Sequence, residues 1–322
     1  MTEALGRTAG PCSLGEQMQK RSFLIGRMTN RLTIFVGLVL VPWFGCGGEL
    51  TSTAPGAVPL GVIQDRKLNE ISGVTASRRT PGVLWMHNDG LQARFFAVQT
   101  NGQRLATFAL RADVDDLEDM ASGPGPLPDD NYLYLGDIGD NKGIRRIVRV
   151  LRFLEPALNK GPAGSRAEFV DSFETLQLRY PDGPHDAEAL IVDPLSGDLF
   201  IVTKERKRAR VFRAAQQAWS RPGPVQLELV AELKVDDVSG GDISADGNRV
   251  LLRREGKAWL WKRRPEESIS STLLKSHEKV PVIGPPNEAN GEAIAFATDD
   301  SGYFTVGEGR RERIFFYPLP IE

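Results

Sequence analysis

Five positions in this sequence head a recurring unit: Ser72, Glu118, Glu188, Ser239 and Glu292, at intervals of 46, 70, 51 and 53 residues. Three carboxylates and two hydroxyls converging on one axis repel one another unless a cation sits among them. All-oxygen ligands suit a hard ion, and a flexible ring of this kind favours Ca²⁺ over Mg²⁺. Glu70, Asp116, Asp119, Asp186 and Asp242 lie beside these positions in the chain and could complete or hydrate such a site.

A second set of polar residues follows each unit: His87-Asn88-Asp89, Asp137 with Asp140 and Asn141, Lys204-Glu205, Arg253-Arg254-Glu255 and Glu308. A cation with Lys204 and Arg253 beside it is what a phosphate-bearing or other anionic substrate needs, and Asp89 and Asp137 are the candidate bases. Plainer readings stand next to this one. The Asp and Gly of A-D-G and D-D-S-G are ordinary turn residues. His185 reads as a hydrogen-bonder in a loop, Trp85, Trp259 and Trp261 as packing, and the charges at 204–208 as a solvated loop. The acidic ring itself could staple the fold without turnover. No zinc spacing, phosphate-cradling G-x-x-x-x-G-K-[ST], dinucleotide G-x-G-x-x-G or G-x-S-x-G elbow occurs.

The elements that must position these residues are short strands. Residues 188–204 read E-A-L-I-V-D-P-L-S-G-D-L-F-I-V-T-K, which is strand, tight turn, strand; residues 292–308 read E-A-I-A-F-A-T-D-D-S-G-Y-F-T-V-G-E. The same grammar recurs from Ser72, Glu118 and Ser239. Most units are followed by two further strand-like runs, such as 104–110, 226–233 and 271–274. Four strands per unit at this period predict a β-propeller. The last unit has three strands, and the run at 59–63 would supply the missing outer one, protecting an edge. The expectation is therefore an all-β, five-bladed propeller of four-stranded blades, with the ring closed by the N-terminal strand. A sixth blade would need a repeat inside 146–180, and a two-sheet sandwich is the all-β alternative.

The chain has 322 residues, 41% of them hydrophobic and 25% charged, a globular balance that argues against disorder or a polytopic membrane protein. Its net charge of −2 offers no basic field for nucleic acid. That figure averages unlike parts. Residues 32–44 form an apolar run behind Arg27 and Arg31, too short to span a bilayer but suited to a signal peptide, with Met28 a plausible start. We expect 1–46 to be a leader, 47–57 a flexible tether and 58–322 the propeller domain. Beyond Cys46 the chain holds 35 basic and 40 acidic residues, a net of −5, and no cysteine. Cys46, behind Gly45, suits a lipoprotein acceptor; an ordinary signal peptide is the alternative. The expected setting is the bacterial cell envelope, periplasm or exterior, with membrane contact only through that anchor.

The phrases E-I-S-G at 70–73, D-L-E-D at 116–119, G-D-I-G-D-N at 136–141, Y-P-D-G-P-H-D-A-E-A-L at 180–190 and G-E-A-I-A-F at 291–296 resemble a largely uncharacterised family of exported bacterial phytase-like, esterase-like propellers. The resemblance covers nearly all of 58–317. More remotely, the order Ser, Glu, Glu, Ser, Glu is similar to the calcium-activated nucleotidases (soluble apyrases), five-bladed propellers with a central Ca²⁺. That likeness implies Ser72, Glu118, Glu188, Ser239 and Glu292 as the calcium ligands. Two functional expectations result: Ca²⁺-dependent hydrolysis of a phosphoric ester or anhydride, and a non-enzymatic module in which a structural ion supports recognition of an anionic small molecule, a cell-envelope ligand or a protein.

Overall fold

A computed structural model describes residues 56–158, 166–284, 287–288 and 290–320. The expected leader, Cys46 and most of the tether lie outside the described residues. Among those described, no helix is long and apolar enough to cross a membrane.

The structure is all-β, and its strands are short because turn residues interrupt the apolar runs every few positions. Three sheets are antiparallel and four-stranded. One runs Ala187–Val192, Leu199–Thr203, Arg210–Ala214, Glu228–Glu232. A second runs Gly240–Ile243, Arg249–Arg254, Lys257–Lys262, Glu278–Val280. The third joins the first and last described strands, because Val58–Val62 pairs antiparallel with Arg313–Pro318, followed by Gly302–Gly307 and Gly291–Phe296.

The remaining sheet has nine strands because one strand serves two sets. Arg104–Gly123 is 20 residues long. Its first half pairs with Gly90–Gln99 (Phe95 opposite Phe108), and its second half with Tyr132–Asp137 (Met120 opposite Leu135). Leu117 marks the changeover, facing Gly90 on one side and Asp137 on the other. Ile71–Ala76 and Val83–Asn88 complete the first set, while Val148–Leu154 and Glu174–Arg179 complete the second. Among the described residues of 146–180 lie Val148–Leu154 and Glu174–Arg179 of the second set and the short Glu168–Phe169, which pairs with Arg104–Gly123.

Five buried clusters hold these sets together, and each draws on two sets that follow one another. Trp85 and Phe95 meet Leu133 and Leu151; Tyr134 and Val150 meet Leu190 and Phe212; Ile191 and Val202 meet Leu252 and Trp261. Leu251 and Leu260 meet Ile294 and Phe315, and Ala293 and Val306 meet Ile71 and Met86 of the first set. The leading strands follow the same order: Ile71–Ala76 lies against Arg104–Gly123, then Ala187–Val192, Gly240–Ile243 and Gly291–Phe296, which returns to Ile71–Ala76. Each fully buried Leu, Ile or Phe contributes about 1.5–3 kcal/mol. The tryptophans expected to pack do so: Trp85, Trp259 and Trp261 are all buried.

One local expectation changes. Residues 271–274 were expected to form an outer strand, but Ser268 accepts a hydrogen bond from the Ser271 amide and caps a short helix, Ile269–Leu273. Ser and Thr next to a capping serine favour that turn over a ladder, and the outer strand falls later, at Glu278–Val280. The stretch Gln216–Ser220 is a single 3₁₀ segment.

Candidate functional site

Ser72, Glu118, Glu188 and Glu292 share a backbone feature that the sequence does not announce. Each lies where the register of its leading strand slips: between Ile71 and Gly73, Leu117 and Asp119, Ala187 and Ala189, Gly291 and Ala293. Such bulges leave one residue out of the ladder and re-aim its side chain. Ser239 sits just before the ladder of Gly240–Ile243, its amide bonded to the Arg253 carbonyl.

Glu118 is the hub. Carboxylate oxygens of Asp89, Asp116 and Glu118 lie within 4.8 Å of one another, as do those of Glu118, Asp186 and Glu188. The two serines bridge neighbouring leading strands. Ser72 Oγ donates to the Glu118 carbonyl, with the Glu118 carboxylate 3.4 Å away, and Ser239 Oγ donates to the Gly291 carbonyl at 3.1 Å. Lys204 Nζ reaches Glu188 Oε1 at 2.5 Å. Gly139 makes the crowding possible: a Cβ there would stand 2.2 Å from Glu118 Oε1 and 2.6 Å from Asp116 Oδ2. Sequence reading took the polar residues of G-D-I-G-D-N and missed this glycine, because a close approach by Glu118 and Asp116 leaves no mark in the local sequence.

The electrostatics follow from the crowding. Burial, then the charges of Glu188, Asp89, Asp116 and Asp186, push the Glu118 carboxyl up to about 10. Burial and the Glu188 and Glu308 charges raise Glu292 to about 8. Burial raises Glu188 to about 7 although Lys204 pulls it down, and burial with Asp89 raises Asp116 to about 6. Asp89 is also raised, by burial and by Glu308 and Glu70. Without a cation, this group of acids holds protons that ordinary carboxyls would release.

The neighbouring acids divide by role. Asp119 is buried and accepts amide hydrogens from Met120 and, on the next leading strand, Leu190. Asp242 does the same for Phe296. Both stitch strands together. Asp186 joins the acidic group, and Glu70 is exposed beside Asp89.

Of the four candidate catalytic residues, the structure brings Asp89 and Lys204 to the acids. Asp137 is fully buried, accepting from the Asp115 and Asp116 amides and bridging Arg145 and Arg149 at 2.8 Å each. Arg253 is fully buried against Glu288. Its neighbour Arg254 lines the open cavity of about 350 Å³ formed with Lys204, Asp237, Asn290, Glu292 and Glu308. Strand alternation explains the exchange, because adjacent residues point to opposite faces. His87 is buried too, and burial lowers it to about 4.

No known family signature matches the chain, and no curated protein matches it in sequence. Among solved structures, a luciferin-regenerating enzyme aligns over 81% of this chain and 96% of its own, with 9% identity and a TM-score of 0.45. The β-propeller domain of Cps50 (Swd1) from Myceliophteria thermophila aligns over 78% of this chain and 84% of its own, with 13% identity and a TM-score of 0.38.

Proposed function

We propose that the protein is a five-bladed β-propeller, closed by its N-terminal strand, that holds Ca²⁺ at the acids around Glu118 and binds a phosphate-bearing or otherwise anionic ligand beside it. The propeller reading is supported by the five successive strand sets, the five clusters between them and the return of the last leading strand to the first. The observation that carries the cation is the sharing of Glu118 between two groups of three carboxylates. The donor set fits a hard ion, all of it oxygen, and Gly139 leaves the room a side chain would fill.

Asp89, Asp116, Glu118, Asp186 and Glu188 would hold the ion, with Ser72, Ser239 and Glu292 nearest along the leading strands. When bound, Ca²⁺ supplies positive charge that polarises a phosphoryl oxygen. Lys204 and Arg254 meet the remaining negative charge of the ligand from the open cavity, while Glu188 keeps the Lys204 ammonium in place.

Hydrolysis of a phosphoric ester or anhydride is the second reading, favoured by Lys204, Arg254 and Glu292 lining one cavity. Phosphate release from nucleotides and inositol phosphates, with Ca²⁺ and with chelator, separates the two. Turnover that needs Ca²⁺ and is lost in Lys204→Met establishes the hydrolase. A Ca²⁺-raised melting temperature without turnover leaves the binding module. A melting temperature indifferent to Ca²⁺ rejects the cation site and both readings with it.

The proposal includes export and lipid anchoring through Cys46, supported by the basic and apolar run before it. Wild type expressed in a bacterial host is expected in the detergent phase and Cys46→Ser in the soluble envelope fraction. Equal partition of the two would remove the anchor.

A further inference from the structure

Lys204 brings a positive charge of the chain's own to the acidic group. It follows the strand Leu199–Thr203, and its amide bonds to the Asp186 carbonyl at 3.0 Å, which ties it to the start of the leading strand Ala187–Val192. From there Nζ reaches Glu188 Oε1 at 2.5 Å, and Glu188 belongs to the carboxylate group of Glu118 and Asp186. Burial works against the ammonium, but Glu188, then Glu292 and Glu118, hold it above the usual lysine range. The neighbouring arginines are committed to other acids: Arg254 to Asp236 and Asp237, Arg145 and Arg149 to Asp115 and Asp137, Arg253 to Glu288.

The side chain of Lys204 also has somewhere else to go. It is 34% exposed and lines the open cavity that holds Arg254 and Glu292. An ammonium on a four-carbon stem is a movable point charge, unlike the fixed fork of an arginine. A divalent ion among Glu118, Asp186 and Glu188 would repel an ammonium on the same carboxylate, and that repulsion is strong where water is scarce.

We propose that Lys204 is a built-in competitor of the divalent cation: it neutralises Glu188 in the ion-free chain, and when the ion takes Glu188 the ammonium passes to an anionic ligand in the open cavity. This rests on the cation site proposed above and adds its regulation. The ion makes Lys204 available to the anion, and by linkage the anion, in holding Lys204 away from Glu188, tightens the ion.

Two measurements on the folded chain test it. In calorimetric titrations with Ca²⁺ alone at low ionic strength, Lys204→Met is expected to bind on the order of tenfold more tightly than wild type. In wild type, acetylation of Lys204 by acetic anhydride, followed by mass spectrometry against the exposed Lys234, is expected to run several-fold faster in Ca²⁺ than in chelator. Should Lys204→Met not fold in chelator, the labelling decides. A variant that binds Ca²⁺ no more tightly than wild type, or labelling indifferent to Ca²⁺ in a chain that binds it, overturns the competition and leaves the cation site standing. Binding by Lys204→Met alone supports both. Absence of Ca²⁺ binding from both chains removes the cation site and the competition with it.

Discussion

Stripped of divalent cations, the protein is expected to lose about 5 kcal/mol of stability between pH 6.5 and 9, with a fall in melting temperature on the order of 15 °C. The cause is Glu118. Its carboxyl is raised from 4.5 to about 10, so in this window the folded chain keeps a proton that the unfolded chain has released. The unfolded state binds fewer protons, and stability falls as the pH rises, by about 1.4 kcal/mol per unit for one group. Glu292, raised to about 8, adds to the fall over the first part of the window. Below pH 6.5 the fall continues, because Glu188 and Asp116, raised to about 7 and about 6, act with the same sign, and His87, lowered to about 4 and protonated there in the unfolded chain only, offsets just one of these groups. Carboxyls held below their usual range, such as Asp182 and Asp246, act only at lower pH still.

Calcium is expected to reverse this slope. The ion binds the ionised acids, so its affinity rises with pH as the metal-free protein weakens. Thermal melts at several pH values, with chelator and with excess Ca²⁺, are the measurement. Glu118→Gln should flatten the chelator curve above pH 8 and remove most of the Ca²⁺ response. A chelator curve that rises between pH 6.5 and 9 would show that the acids are not crowded as described.

How much of this was legible in the chain depended on which physical signal each feature carries. Alternating apolar runs divided by D-P-L-S-G, A-D-G and D-D-S-G announce paired strands, and four of the five leading strands start beside the positions counted from them. The double use of Arg104–Gly123 was not legible: its first half was read as an outer strand and its second half as the start of the next unit, and continuity has no composition of its own. The acids Glu118 and Glu188 were found by their place in the repeat. Asp116 and Asp186 were named as neighbours that could complete or hydrate the site, and the structure brings both into the same groups. Asp137 and Arg253 carry the right chemistry at the right place in the chain, yet which face a strand residue takes depends on a single-residue register. There the sequence argument lost its hold.

Arg253 carries the other large expected effect. Its guanidinium is fully buried, with Nη2 at 2.9 Å from Glu288 Oε2, Nη1 at 3.4 Å from Oε1, and Nη1 donating to the Ala293 carbonyl at 2.8 Å. Glu288 is equally buried. Gly291 packs so closely on the guanidinium that a Cβ there would lie 1.9 Å from Nη2. Removing one partner of a buried ion pair strands the other charge, at a cost of about 3–5 kcal/mol, whereas replacing both by apolar groups of similar size is often neutral. Arg253→Met and Glu288→Leu are therefore each expected to lower stability by about 3–5 kcal/mol in denaturant titrations. The double variant should recover most of that loss, giving a coupling well above 1 kcal/mol in the cycle. Because the pair lies behind the strand rather than among the acids, the double variant should keep its Ca²⁺ response. Single variants costing under 1 kcal/mol would mean that the pair is solvated. A stable double variant without a Ca²⁺ response would mean instead that Arg253, through the Ala293 carbonyl beside Glu292, holds the bulge in the form the cation requires.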